Sequence, residues 1–132
     1  MILRSKGFEW PGVERQDYKN EPGTWQDVSR RVLFATPDSQ FETRYFEIAP
    51  GGYTSHEKHG HEHCVIVARG SGEVFLEGAW GTVSPGDVVH VPPHAPHQFR
   101  NRGTEPFGIL CVVDKERDRP ILLGNETMAE SS

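Results

Sequence analysis

Cysteine is scarce: two residues in 132 cannot make a disulfide scaffold. Cys64 and Cys111 both stand in Val/Ile/Leu-rich runs, where a free thiol packs as a small apolar group, so both are expected buried and unpaired. Basic charge is also short, with 14 Lys and Arg against 19 Asp and Glu and a net charge of −5. That balance gives no electrostatic footprint for nucleic acid or for an anionic membrane. No apolar run approaches the ~20 residues that span a bilayer, and Met1 to Trp10 has no signal-like apolar core, so the expected location is the cytoplasm. Internal repeats and linkers are missing. Helical periodicity is missing too, apart from a weak candidate at Glu126 to Glu130.

Instead there are 14 glycines and 10 prolines punctuating short apolar runs, the pattern of a single all-β sandwich or barrel. Residues 1–27 read as an arm, with breaker pairs at Pro11-Gly12 and Pro22-Gly23. Its Phe8, Trp10, Tyr18 and Trp25 need cover, either across the barrel exterior or along a neighbouring subunit, and a homodimer is expected. Residues 28–114 carry the barrel strands: Val28–Phe34, Phe41–Ile48 ended by Pro50-Gly51-Gly52, Cys64–Ala68, Glu73–Leu76, Trp80–Ser84, Val88–Val91, His97–Arg100 and Phe107–Val113. Residues 115–132 form a polar tail. On the second strand Arg44 shares parity with Phe46 and Ile48, so an arginine faces the apolar side and requires a partner or a ligand there.

All seven histidines fall into two windows. The first, from His56 to His63, holds four histidines with Glu57 and Glu62; the second holds His90, His94 and His97. In an extended chain Glu57, His59, His61 and His63 point the same way. A low-complexity histidine tract can bind metal with no folded site, but this one is internal, mixed with glutamate, and bounded by turn residues and a Val-Ile-Val run. Imidazole nitrogen and carboxylate oxygen meet a first-row divalent ion at ~2.0–2.2 Å, which neighbouring antiparallel strands can arrange. Glu57 and His59 from one strand, His63 after a turn at Gly60, and His97 from a paired strand make such a set. Four protein donors leave two positions of an octahedral ion open, which favours catalysis or chelation of a small-molecule substrate over a structural role.

These residues resemble the motifs of the cupin superfamily. Gly51, five residues, Glu57-x-His59, three residues, His63, six residues and Gly70 fit every interval of its first motif, with Glu57 standing in the place of the first histidine and His63 in that of the glutamate. Gly86, Pro92, His97 and Asn101 fit the second motif, with His94 in place of a glycine. The resemblance implies a single-domain double-stranded β-helix, the jelly-roll barrel, with Glu57, His59, His63 and His97 as metal ligands. His56 is an alternative to Glu57 if a bulge shifts the register; His61, His90 and His94 are expected around the site rather than on the metal. Arg44-Tyr45-Phe46-Glu47, His97-Gln98-Phe99-Arg100, Leu110-Cys111-Val112-Val113 and Glu116 to Pro120 are further similar to a group of small bacterial manganese cupins that includes the methylthioxylulose-5-phosphate sulfurylases. That likeness implies manganese, with iron, nickel, zinc and cobalt compatible with the same donors. It also implies Cys111 as a catalytic thiol beside Ile109, and Arg44 or Arg100 as the contact to a phosphate. The leading expectation is a metal-dependent enzyme acting on a small oxygenated substrate, with sugar-phosphate isomerase, lyase or thiol-transfer chemistry as what the narrower likeness implies. A non-haem metal dioxygenase, a non-catalytic binding cupin and a purely structural metal are the alternatives.

Overall fold

The computed structural model describes residues 1–18, 23–117 and 120–124. Among them there are strands and no helix; the weak helical stretch at Glu126 to Glu130 lies outside the described residues, as does most of the Glu21-Pro22-Gly23 turn. The strands are β1 Gln16–Asp17, β2 Gln26–Phe34, β3 Phe41–Tyr53, β4 Glu57–Lys58, β5 His63–Arg69, β6 Gly72–Leu76, β7 Ala79–Val83, β8 Val88–Val91, β9 Gln98–Arg100, β10 Phe107–Asp114 and β11 Ile121–Leu122. One curled antiparallel sheet runs in the order β7-β6-β9-β3-β10-β5-β8, with β2 on β3 and β1 on β2. A short β4-β11 pair stands beside it.

The sheet curls because β3 is longer than the sequence suggested. Pro50-Gly51-Gly52 does not end it. Gly51 takes φ 85°, a conformation that side chains resist, and a Cβ on Gly52 would stand 2.7 Å from the Gln26 carbonyl oxygen. The two glycines let the strand bend and continue. Before the bend β3 pairs with β10, Phe41 opposite Asp114 through Ile48 opposite Phe107; after it Tyr53 pairs with Arg100 of β9. Asn101 fixes the handover: its side-chain amide donates to the Ile48 and Glu105 carbonyls at 2.9 and 2.7 Å, and its Oδ1 accepts from Gly103 N–H. The concave face is filled by Ile48, Val65, Val67, Val91, Phe99 and Phe107, all buried.

The apolar run of β5 is buried on one side only. Val65 and Val67 point inward, whereas Cys64 points out of the opposite face and is exposed, so of the two unpaired thiols only Cys111 is buried. Alternation within a strand overrides the local apolar composition here. The arm crosses the outside of its own barrel. Phe8 and Trp10 pack on Tyr45 with ring centroids 5.7 and 5.2 Å apart, and Glu9 pairs with the buried Arg31 at 2.7 Å. Tyr18 turns the other way, edge-on to Trp25 and Phe46 at the barrel mouth. Within one chain Trp25 is buried and Phe8, Trp10 and Tyr18 are half-buried, so the arm crosses the barrel exterior, one of the two covers expected for it.

His94, in the place of a motif glycine, adopts φ 65°. Its backbone N–H donates to the His59 carbonyl at 2.7 Å, and its side chain is exposed. A non-glycine residue in this left-handed region costs roughly 1–2 kcal/mol. Replacing His94→Gly is expected to stabilise the fold by about 0.5–1 kcal/mol after the added freedom of the unfolded chain is counted. The urea midpoint checks this, and a lower midpoint would assign the imidazole a supporting contact.

Candidate metal centre

The centre is built where residues 54–59 run antiparallel to residues 94–99. Thr54 N–H donates to Phe99 C=O at 2.9 Å, Glu57 and His97 exchange two backbone hydrogen bonds at 3.1 and 2.9 Å, and His94 N–H reaches His59 C=O. This track puts Glu57 opposite His97. His63 opens β5, held between Val91 of β8 and Val113 of β10. The side chains of His59, His63 and His97 converge, and one ring nitrogen from each lies within 4.8 Å of the others, so the three could hold a metal ion.

Their tautomers suit that task. His59 Nδ1 lies 2.7 Å from the His61 carbonyl oxygen and His97 Nδ1 lies 2.9 Å from that of Ala95; a carbonyl only accepts, so each Nδ1 carries the proton and each Nε2 presents a lone pair. His59 Nε2 is buried with no hydrogen-bond partner. A buried acceptor left unsatisfied costs about 1–3 kcal/mol, a cost that a cation at this nitrogen would remove. His63 Nδ1 lies 3.1 Å from Cys111 Sγ and its Nε2 lies 3.2 Å from His61 Nε2. Burial depresses all three pKa values, and the neighbouring imidazoles depress them further. For His63, which also feels Arg44, the value falls to about 2. The donor set is therefore neutral and unprotonated at physiological pH, as ligation requires.

Glu57 lines the same cavity but lies outside the group of three imidazoles; its Oε2 accepts a 2.5 Å hydrogen bond from Ser55 Oγ. His56 has the opposite parity and packs edge-on to Phe75, 5.5 Å between centroids. His61 also lines the cavity, its ring stacked on His59 at 3.7 Å. His90 stands on the outer face, 2.6 Å from Glu62, and neither it nor His94 reaches the cavity wall.

The cavity measures about 530 Å³ and carries Arg44, Ile109 and Cys111 on its wall with the imidazoles. Arg44 Nη2 lies 3.6 Å from Cys111 Sγ. Burial raises the Cys111 pKa, and Arg44 offsets part of the rise. Arg100, expected at a phosphate, is elsewhere. Its buried guanidinium pairs with Glu73 at 3.2 Å and lies 3.7 Å over the Trp80 ring, because residues opposite it on β3 and β6 place it on the other face. Sequence reasoning passed over Ser55, Tyr18 and Arg30, which touch Glu57 or line the cavity. For Arg30 a signal existed, since it shares parity with Val28 and Val32 just as Arg44 does with Phe46.

Residues 44–113 match the family model described as a cupin domain. The chain is 40% identical over 116 residues to the 1-methylthio-D-xylulose 5-phosphate methylsulfurylase of Rhodospirillum rubrum, an alignment covering 87% of this chain and 74% of that protein. It superposes on a cupin-2 domain from Rhodospirillum rubrum with a TM-score of 0.85 at 37% identity, covering 98% of this chain and 88% of that one. A cupin 2 conserved barrel domain protein from Rhodopseudomonas palustris gives a TM-score of 0.85 at 41% identity, covering 98% and 89%.

Metal-free protein should lose stability as pH falls below about 6.5, the unperturbed histidine value. The folded imidazoles take up protons at lower pH than the unfolded ones, so each contributes a loss of up to about 1.4 kcal/mol per pH unit until its own folded value is reached. Urea unfolding of metal-free protein between pH 7.5 and 5.5 measures the slope, which His59→Gln should make shallower. An unchanged slope would show that His59 is not a buried neutral imidazole.

Proposed function

This chain belongs to the cupin family, and on that premise we propose that it is a metal-dependent enzyme that transfers a methylthio group from a phosphorylated ketose to a thiol. The observation that carries the reading is the gathering of three imidazoles, those of His59 and His97 buried and that of His63 half-buried, with the Cys111 thiol and the Arg44 guanidinium on one cavity wall, in a chain 40% identical to a methylsulfurylase. His59, His63 and His97 hold a divalent ion, manganese in this reading, with Glu57 as the fourth protein donor through the oxygen that Ser55 does not occupy. When bound, the ion supplies Lewis-acid polarisation of the substrate's carbonyl oxygen.

The remaining work falls to side chains. In the transfer a thiolate attacks the methylthio sulfur, an S–S bond forms, and the C1–S bond breaks with its electron pair left on C1 beside the ketone. A proton must then return to C1, giving the 1-deoxy ketose phosphate and a methyl disulfide. A buried thiol with a raised pKa suits the donor of that proton better than the attacking thiolate. Cys111 holds it at Sγ, between His63 Nδ1 and Arg44 Nη2. Tyr18 and Trp25 narrow the mouth and exclude water from the carbanion.

Manganese-loaded protein supplied with 1-methylthio-D-xylulose 5-phosphate and a low-molecular-weight thiol should form both products, followed by mass spectrometry. Metal-stripped protein should form neither. Cys111→Ser should lower kcat about 100-fold or more with metal retained, and Glu57→Ala should lower metal content while the barrel still melts cooperatively. Absence of products from fully loaded wild-type protein would sink the reading; full activity in Cys111→Ala would remove that thiol from it.

A further inference from the structure

The wall of the cavity carries Arg30, Arg44, Lys115 and Arg117 against Glu42 and Glu57. The imidazoles aside, four cationic side chains face two anionic ones, an excess of two positive charges inside a chain whose net charge is −5. Two of the cations are already engaged. Lys115 Nζ donates to the Thr36 and Pro37 carbonyls at 3.0 and 2.6 Å, and Arg117 pairs with Glu42 at 2.9 Å. Arg44 is buried, its Nε makes no hydrogen bond, and its nearest carboxylate is the same Glu42 at 3.7 Å, already held by Arg117. Arg30 has no carboxylate among the described residues; its Nε and Nη2 donate to the neutral Gln16 Oε1 at 3.1 and 2.8 Å. Arg117 has a close carboxylate and Lys115 is held by backbone carbonyls at the chain surface, so Arg30 and Arg44 are the two cations of this wall with neither anchor.

These two are neighbours. Arg30 lies opposite Phe46 and Arg44 opposite Val32, a diagonal pair on the inner face of β2 and β3, a spacing of about 7–8 Å that long side chains close on a common ligand. Arg30 is also aimed. Gln16 is its opposite residue on β1, and its guanidinium rests 4.6 Å from the centroid of the Tyr18 ring. Both supports come from the N-terminal arm.

We propose that Arg30 and Arg44 form the subsite for the phosphoryl dianion of the substrate, with Arg30 as its outer, specificity-determining contact and Gln16 and Tyr18 as positioning residues. Two guanidinium groups match a phosphate by charge and by their forked donors. The arm is then part of the substrate site as well as a cover for the barrel. The identity of the anion rests on the function proposed above; the location of the subsite rests on charge and geometry alone.

The test separates the two. Manganese-loaded wild type, Arg30→Gln, Gln16→Ala and the surface control Arg102→Gln are titrated calorimetrically with inorganic phosphate, and assayed with the phosphorylated ketose and its unphosphorylated counterpart. Arg30→Gln should weaken phosphate binding about tenfold or more and raise KM for the phosphorylated ketose by a similar factor, with kcat within about threefold. It should leave KM for the unphosphorylated sugar unchanged, and Arg30→Lys should recover part of the loss. Gln16→Ala should give a smaller shift in the same KM, and Arg102→Gln none. Phosphate binding equal in wild type and Arg30→Gln, or a fall confined to kcat, overturns the subsite. If no variant turns over the ketose while phosphate binding still depends on Arg30, the transfer chemistry is refuted and the subsite stands.

Discussion

Two backbone hydrogen bonds exchanged by Glu57 and His97 join stretches distant in the chain, and the gathering of the three imidazoles depends on them. Together with the Thr54–Phe99 and His94–His59 hydrogen bonds on either side, that clamp fixes the segment carrying His59 relative to the one carrying His97. With it, each imidazole is oriented twice, by the backbone that places its Cα and by the carbonyl that binds its Nδ1 proton. The result is a set of lone pairs held in a dry place before any cation arrives, so binding need not pay again for ordering them. The clamp in turn exists because β3 bends at Gly51 and Gly52 and delivers residues 54–57 to the strand beyond Asn101.

Parity carried the legible part of the sequence. It put Glu57, His59, His61 and His63 on one side, turned His56 away, and brought Arg44 inward, and the structure has all of these facing as read. The same rule applied to Cys64 places it outward, where local composition suggested burial. Arg100 was expected at a phosphate from the resemblance alone, and parity argues against it: it alternates with His97 and Phe99, which line the cavity, and its pairing with β3 and β6 keeps it on the other face. The continuation of β3 through Pro50-Gly51-Gly52 was hidden, because the residues that bend a strand are the ones that end it elsewhere. His94 is a case where a motif departure became intelligible only with φ in hand.

The cavity is a composite of unlike ends. One end is a neutral donor set kept neutral by burial; the other gathers cationic side chains whose local counterions are already shared. Cys111 lies between them, touching a histidine of the first and an arginine of the second. A small molecule with an oxygen-bearing carbon at one end and an anion at the other, as in the proposed reaction, matches both ends of this layout.

Cys64 and Cys111 sit on adjacent strands, Cys64 opposite Val112 and Cys111 opposite Val65, with their sulfurs on opposite faces of the sheet. The sheet itself keeps them apart, so they cannot oxidise to one another without unravelling β5 from β10. It also gives them separate routes of approach: an alkylating reagent meets Cys64 from bulk water and Cys111 only by way of the barrel mouth. The ratio of their alkylation rates is a built-in gauge of whether anything is lodged inside.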